Sequence, residues 1–132
     1  MATIVNGMIG KDHYTTVLSA GNHTLTGDEP LDEGGADKGP NPYEFVLLGL
    51  ATCTCAALRM YADRHEMQLD KLEVKLEMEV NRVGGETKTT ILKQILFYGE
   101  LSEQQINTLK SVSDKCPVHR LLSGEIIINH QP

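Results

Sequence analysis

Two thiols stand in local sequences that favour chemistry. Cys53 ends the run Asn41-Pro42-Tyr43-Glu44-Phe45-Val46-Leu47-Leu48-Gly49-Leu50-Ala51-Thr52-Cys53 and lies inside what reads as a long, nearly all-apolar helix. Cys116 directly precedes Pro117. Proline is preferred at the first position of a helix, which puts the Cys116 side chain at an N-cap. There the helix dipole and the free backbone N–H groups favour thiolate over thiol. A fold that brings the two sulfurs together makes this chain a redox dithiol, able to cycle between two thiols and a disulfide.

The third cysteine, Cys55, is two residues from Cys53, roughly 200° around a helix axis, so both cannot face Cys116. Cys55 instead shares a helix face with Arg59. Each helical cysteine also reads as a small buried hydrophobe, the usual state of cysteine in an apolar helix. Metal binding is a competing constellation, because Cys116 and His119 are one helical turn apart. Cys-x-Cys within a helix splays its sulfurs, however, whereas structural zinc pairs are spaced Cys-x₂₋₄-Cys, so no metal is expected. His13, His23, His65 and His130 fall in strands or at helix ends and read as solvated. With no glycine-rich phosphate loop, nucleophile elbow or dinucleotide fingerprint, no cofactor is expected.

The elements that position these thiols can be read in order. His13 to Ser19 and His23 to Thr26 form a hairpin around Ala20-Gly21-Asn22, with a further strand over Ile4 to Ile9. Gly27 to Asn41 is a long acidic, Gly/Pro-rich loop, a length that suggests a functional surface segment. Asn41 caps the next helix, Pro42 takes its first position, and Glu44 completes a capping box. That helix runs to about Arg64-His65, and its first half has no polar face. Leu72 to Val80 alternates strictly as a strand, Gly84-Gly85 turns the chain, and Thr87 to Tyr98 returns it. Ser102 and Gln105 box a second helix that ends near Asp114. A short helix covers Pro117 to Leu122, and Glu125 to Asn129 is expected as a last strand. The class is α+β with antiparallel sheets, in one domain over 1–132.

Net charge is −6 over 132 residues, without a basic run, which argues against nucleic acid as a partner. The apolar stretch Phe45 to Leu58, about 14 residues, reads as a buried helix and not a membrane span, so no membrane partner is expected. The N-terminal residues lack the pattern of a signal peptide, and the 3 cysteines are odd in number. A cytoplasmic setting with reduced resting thiols follows as the expectation.

Gly34-Gly35-Ala36-Asp37-Lys38-Gly39-Pro40-Asn41-Pro42-Tyr43-Glu44, then Gly49-Leu50-Ala51-Thr52-Cys53, then Cys116-Pro117-Val118-His119 together resemble the OsmC/Ohr family of osmotically inducible and organic-hydroperoxide-resistance proteins. The resemblance covers almost the whole chain. It implies an intertwined homodimer whose long central helices are buried between sheets, with two-cysteine sites at the dimer interface. It makes Cys53 the peroxidatic thiol, Cys116 the resolving thiol and Glu44 a further catalytic candidate. The substrate would be an organic hydroperoxide or hydrogen peroxide, and an external dithiol would reduce the resulting disulfide. A hydrophobic-ligand-binding or redox-sensing module is the alternative. In the strongest peroxidases of the family a Glu directly follows the Pro and pairs with an N-terminal Arg. Here Tyr43 follows Pro42, Glu44 comes one position later, and no Arg precedes Arg59, which marks a divergent subgroup. Lys11 is a possible point charge in place of that Arg but lacks its planar fork.

Overall fold

The computed structural model describes residues 2–132 and divides into two compact units at Val46/Leu47. In the first unit, strands β1 (Val5–Met8), β2 (Thr16–Ala20) and β3 (His23–Gly27) form one antiparallel sheet in that order. Ala20 faces His23 across the β2–β3 turn, where Gly21 supplies the positive φ of 59° that a tight hairpin requires. The loop beyond β3 is organised around Asp28, which is almost fully buried. Its carboxylate accepts the Thr15 hydroxyl at 3.0 Å and the N–H groups of Glu29 and Lys38 at 2.8 and 3.2 Å. Burial pushes the Asp28 pKa up, but the amides of Lys38, Glu29 and Ala36 and the Thr15 hydroxyl outweigh it and hold the group below its ordinary value. A short 3₁₀ turn, Leu31–Glu33, lies within the loop that the sequence shows as irregular.

Helix α1 (Pro42–Arg64) begins in this unit with the expected reciprocal cap. The Asn41 N–H donates to Glu44 Oε1 and the Glu44 N–H donates to Asn41 Oδ1, both at 2.9 Å. The helix continues into the second unit, where Leu50, Thr54, Leu58 and Ala62 form one buried stripe at four-residue spacing. Leu48 and Met60 on its other faces are 50% and 57% exposed. The chain by itself therefore covers one side of a helix whose first half is apolar all round. At 23 residues α1 is also long and apolar enough to cross a membrane by length and composition. Its buried stripe, and the Arg59 guanidinium that donates to the Leu69 carbonyl at 2.6 Å, tie it into a protein core. Glu66, at φ 51°, ends the helix in the left-handed region, and Met67 N–H closes back on the Ala62 carbonyl at 2.9 Å.

Strands β4 (Gln68–Val83) and β5 (Glu86–Glu100) make a long antiparallel hairpin through Gly84-Gly85, both at positive φ. Leu72, Val74, Leu76, Met78 and Val80 form the half-buried face of β4. They sit opposite Phe97, Ile95, Lys93, Ile91 and Thr89. A bulge between Leu69 and Lys71 lies opposite Gly99, whose φ is 138°. A Cβ at Gly99 would run into the Gln68 carbonyl, so no other residue fits. Helix α2 (Glu103–Ser113) starts in the expected Ser102/Gln105 capping box and buries Leu109 completely. Lys93, the one cation on the half-buried face, donates to the Ser113 carbonyl and to Asp114 Oδ1 at 3.2 Å each. It thus neutralises the electron-rich end of α2. Helix α3 (Pro117–Ser123) follows.

The α+β class with antiparallel sheets is as read from the sequence. One element is not. Glu125 to Asn129 forms no strand with the described residues, and Ile126, Ile127 and Ile128 are 56%, 72% and 91% exposed. The β-prone composition is real, but a strand exists only by pairing, and this segment pairs with none of the described strands.

Candidate functional site

The first turn of α3 meets the middle of α1 at two sulfurs. Pro117 fixes the start of α3, and Cys116 takes the N-cap position with extended backbone angles of φ −66° and ψ 145°. Its Sγ accepts the His119 N–H at 3.3 Å. A helix start leaves several N–H groups without partners. The neighbouring one, Val118 N–H, lies near enough to the Cys53 sulfur to pull its pKa down. Two adjacent free amides of one short helix thus serve the two thiols picked out in the sequence.

Cys116 is 1% exposed, Cys53 is half-buried, and all three cysteines are free thiols. Burial is the main influence on Cys53 and raises its pKa. A hydrogen bond to Cys116 and the charge that Cys116 would carry raise it further, outweighing Val118. A hydrogen bond raises a thiol pKa when it favours the protonated form, as when that thiol donates. Burial and the neighbouring Cys116 together favour the protonated form of Cys53.

Cys116 has a further neighbour. Thr54, fully buried on α1, donates its hydroxyl proton to the Leu50 carbonyl at 2.8 Å, and its Oγ1 stands 3.9 Å from Cys116 Sγ. A hydroxyl has a single proton, so toward Cys116 it can only accept. Cys116 is thus placed to donate to Thr54, and Thr54 donates to the Leu50 carbonyl. Among the described residues, no buried side-chain nitrogen or oxygen is left without a partner.

A cavity of about 310 Å³ lies between residues of α1, β5 and α3, walled by Leu50, Thr89, Ile91, Lys93, His119, Leu122 and Ser123. Leu50 is one turn before Thr54 on α1, and His119 is one turn after Cys116 on α3. Its lining is mixed, with Leu50, Ile91 and Leu122 set against Thr89, Lys93, His119 and Ser123.

Cys55 stands apart. Its pKa is pushed up by burial alone. Arg59, its face neighbour in the sequence, turns away to Asp63 Oδ1 at 2.6 and 3.0 Å and to the Leu69 carbonyl. The structure thus brings Cys53 and Cys116 together and leaves Cys55 without a charge partner. Glu44 sits in the N-terminal unit with its carboxylate engaged in the α1 cap, and Lys11 is exposed there. Among the described residues, no three His, Cys, Asp or Glu side chains converge as a metal site. Sequence reasoning missed Thr54 and Lys93. The available signal was a threonine inside an apolar helix, four residues after Leu50, and a lysine on the apolar register of a strand.

The model of the OsmC-like protein family matches residues 35–131. No curated protein sequence is significantly similar. Among solved structures, an OsmC-like protein from Mycoplasma pneumoniae superposes with a TM-score of 0.81 at 22% identity, over 94% of this chain and 89% of the other. The organic hydroperoxide resistance protein OsmC from Legionella pneumophila gives 0.73 at 20% identity, over 94% and 90%. The organic hydroperoxide resistance protein OhrB of Bacillus subtilis gives 0.68 at 18%, over 94% and 92%. These likenesses establish the fold, and the match over residues 35–131 establishes the family: the chain belongs to the OsmC-like proteins.

Proposed function

We propose that this protein is a thiol-dependent peroxidase that reduces organic hydroperoxides or hydrogen peroxide through a Cys53/Cys116 dithiol–disulfide cycle. The observation that carries the reading is that the turn of α1 bearing Cys53 packs against Cys116 at the start of α3, with Thr54, the next residue after Cys53, 3.9 Å from Cys116 Sγ. The names of the Legionella and Bacillus proteins of the same fold support the substrate class. The Cys53 thiolate attacks the outer peroxide oxygen, giving Cys53 sulfenic acid and releasing an alcohol, or water when the peroxide is hydrogen peroxide. Cys116 attacks the sulfenic sulfur, forming the disulfide and releasing water. An external dithiol then reduces the disulfide by exchange and is itself oxidised.

The 310 Å³ cavity receives the organic group of the hydroperoxide. The chain works as one functional domain and as a cytoplasmic homodimer, in which a second copy covers the exposed faces of α1 (Leu48, Met60) and the Ile126–Ile128 segment. Glu44 enters as the residue that fixes the start of α1, and a part for its charge in the chemistry is decided by the Gln variant discussed below.

One observation favours a second reading. The Cys53 pKa is raised, not lowered, which suits a module that binds a hydrophobic ligand or slowly senses oxidants. Intact mass and thiol counting on reduced protein, before and after one equivalent of cumene hydroperoxide, decide between them. Loss of two hydrogens within seconds, mapped to a Cys53–Cys116 bridge, is the peroxidase result. Unchanged mass, or slow oxidation confined to Cys55, selects the second reading. Size-exclusion chromatography with light scattering tests the dimer, and a monomer at micromolar concentration removes it.

A further inference from the structure

We propose that Thr54 is the positioning residue for the resolving thiol, holding the Cys116 proton on the side away from Cys53 so that a sulfur lone pair faces the sulfur it must attack. The inference rests on the dithiol reading above and assigns a role to a residue that neither the sequence motif nor the family match singles out. Three facts carry it. Thr54 is the residue after Cys53 and fully buried in the inward stripe of α1, so it cannot serve solvent. Its proton is committed to the Leu50 carbonyl at 2.8 Å, which leaves Oγ1 as an acceptor. That acceptor lies 3.9 Å from Cys116 Sγ, on a sulfur that also accepts the His119 N–H at 3.3 Å.

Cys116 is thus fixed by two partners of opposite sense, one taking its proton and one occupying a lone pair. The remaining lone pair is the one left free for Cys53. Once a hydroperoxide has converted Cys53 to the sulfenic acid, that lone pair faces an electrophilic sulfur. The S–S bond forms, the S–O bond of the sulfenic acid breaks, and the hydroxyl leaves as water with the proton of Cys116. Thr54 makes no bond to substrate and acts only by orienting the nucleophile, so its removal weakens the second step and spares the first.

The test is a single-turnover experiment with one equivalent of cumene hydroperoxide on wild type, Thr54→Val and Thr54→Ser. Dimedone trapping reads the Cys53 sulfenic acid, and peptide mass reads the Cys53–Cys116 bridge. Valine keeps the shape and removes the acceptor, whereas serine keeps the hydroxyl. The expected result is bridge formation slowed about five- to tenfold in Thr54→Val, the scale of one modest hydrogen bond. Sulfenic acid formation stays within about twofold and sulfenic acid accumulates, while Thr54→Ser restores the wild-type rate of closure.

Equal slowing of both steps, an unchanged second step, or failure of serine to rescue would overturn the proposal, the first because it signals a general packing defect. A parallel arm oxidises the same three proteins with diamide, which needs no peroxide chemistry. If wild type closes the bridge with diamide but not with hydroperoxide, the peroxidase reading fails. The diamide rates of Thr54→Val and Thr54→Ser then decide the role of Thr54 by the same criteria.

Discussion

Cys116 Sγ accepts the backbone N–H of His119 at 3.3 Å, so a thiol assigned to redox chemistry is also the cap that starts α3. The two duties separate by substitution. Serine is among the best N-caps, so Cys116→Ser keeps the helix start and abolishes the bridge. Alanine can accept nothing, and Cys116→Ala lowers unfolding free energy by about 1 kcal/mol relative to Cys116→Ser. Urea denaturation of the two variants checks this. Equal stabilities would show that α3 gains nothing from an acceptor at this position.

Cys53 carries a pH signature. Burial first, and then Cys116, hold its pKa above the ordinary thiol value of 9.0. Its alkylation by iodoacetamide, followed at the Cys53 peptide, therefore rises steadily from pH 7 to beyond pH 9 without levelling off in between. The same shift has a sign for stability. A thiol whose folded pKa is raised contributes stability that is fully present below its unfolded pKa and lost as pH climbs through the folded one. Unfolding free energy thus declines on the alkaline side of pH 9, and less so in Cys53→Ser. A plateau in alkylation near neutral pH would mean a charge partner has lowered the pKa.

Glu44 gives a clean test of charge against cap. Glutamine at this position still accepts the Asn41 N–H, so Glu44→Gln preserves the helix start and removes only the charge. Hydroperoxide-driven bridge formation in Glu44→Gln within about twofold of wild type, the scale of a few tenths of a kcal/mol, is the expected result. A tenfold loss, with circular dichroism unchanged, would place the carboxylate in the chemistry. Asn41→Ala, which removes the acceptor for the Glu44 N–H, lowers stability by about 1 kcal/mol.

Asp28 behaves oppositely to Cys53. Its folded pKa lies below the ordinary 3.8 because the amides of Lys38, Glu29 and Ala36 and the Thr15 hydroxyl outweigh burial. A depressed carboxylate contributes stability that is present above its unfolded pKa and disappears as pH falls through the folded value. Acid denaturation should steepen below pH 4 in wild type and flatten there in Asp28→Asn. Superimposable acid limbs would show that this carboxylate is not coupled to folding of its loop.

The start signals of α1 and α2 were legible because each capping box is local: Asn41 with Glu44, Ser102 with Gln105. The β4–β5 hairpin was legible through its alternation and Gly84-Gly85. Its strands nevertheless extend beyond the alternating core, to Gln68 and Glu100, because backbone pairing does not stop where the pattern does. The segment Glu125–Asn129 misled because composition records a preference for extended backbone, whereas pairing depends on an edge elsewhere. In the site, Cys116 at an N-cap could be read from Pro117. Thr54 could not, because its meaning depends on a sulfur that lies far away in sequence and close in space. Arg59 misled in the opposite sense, since proximity to Cys55 on a helical face does not fix where a long guanidinium points.

The glycine opposite the bulge has a consequence beyond its own turn. A two-stranded ladder as long as β4–β5 has a competing alignment one residue away, in which every side chain of the slipped strand changes faces. In that alignment Leu92 and Leu96 would turn inward and Lys93 would leave the end of α2. Gly99 admits the Gln68 carbonyl where no side chain fits, and so acts as a keyway that accepts only one setting. The placement of an amine in the wall of the cavity between α1, β5 and α3 is thus decided six residues along the strand, by an atom that is missing.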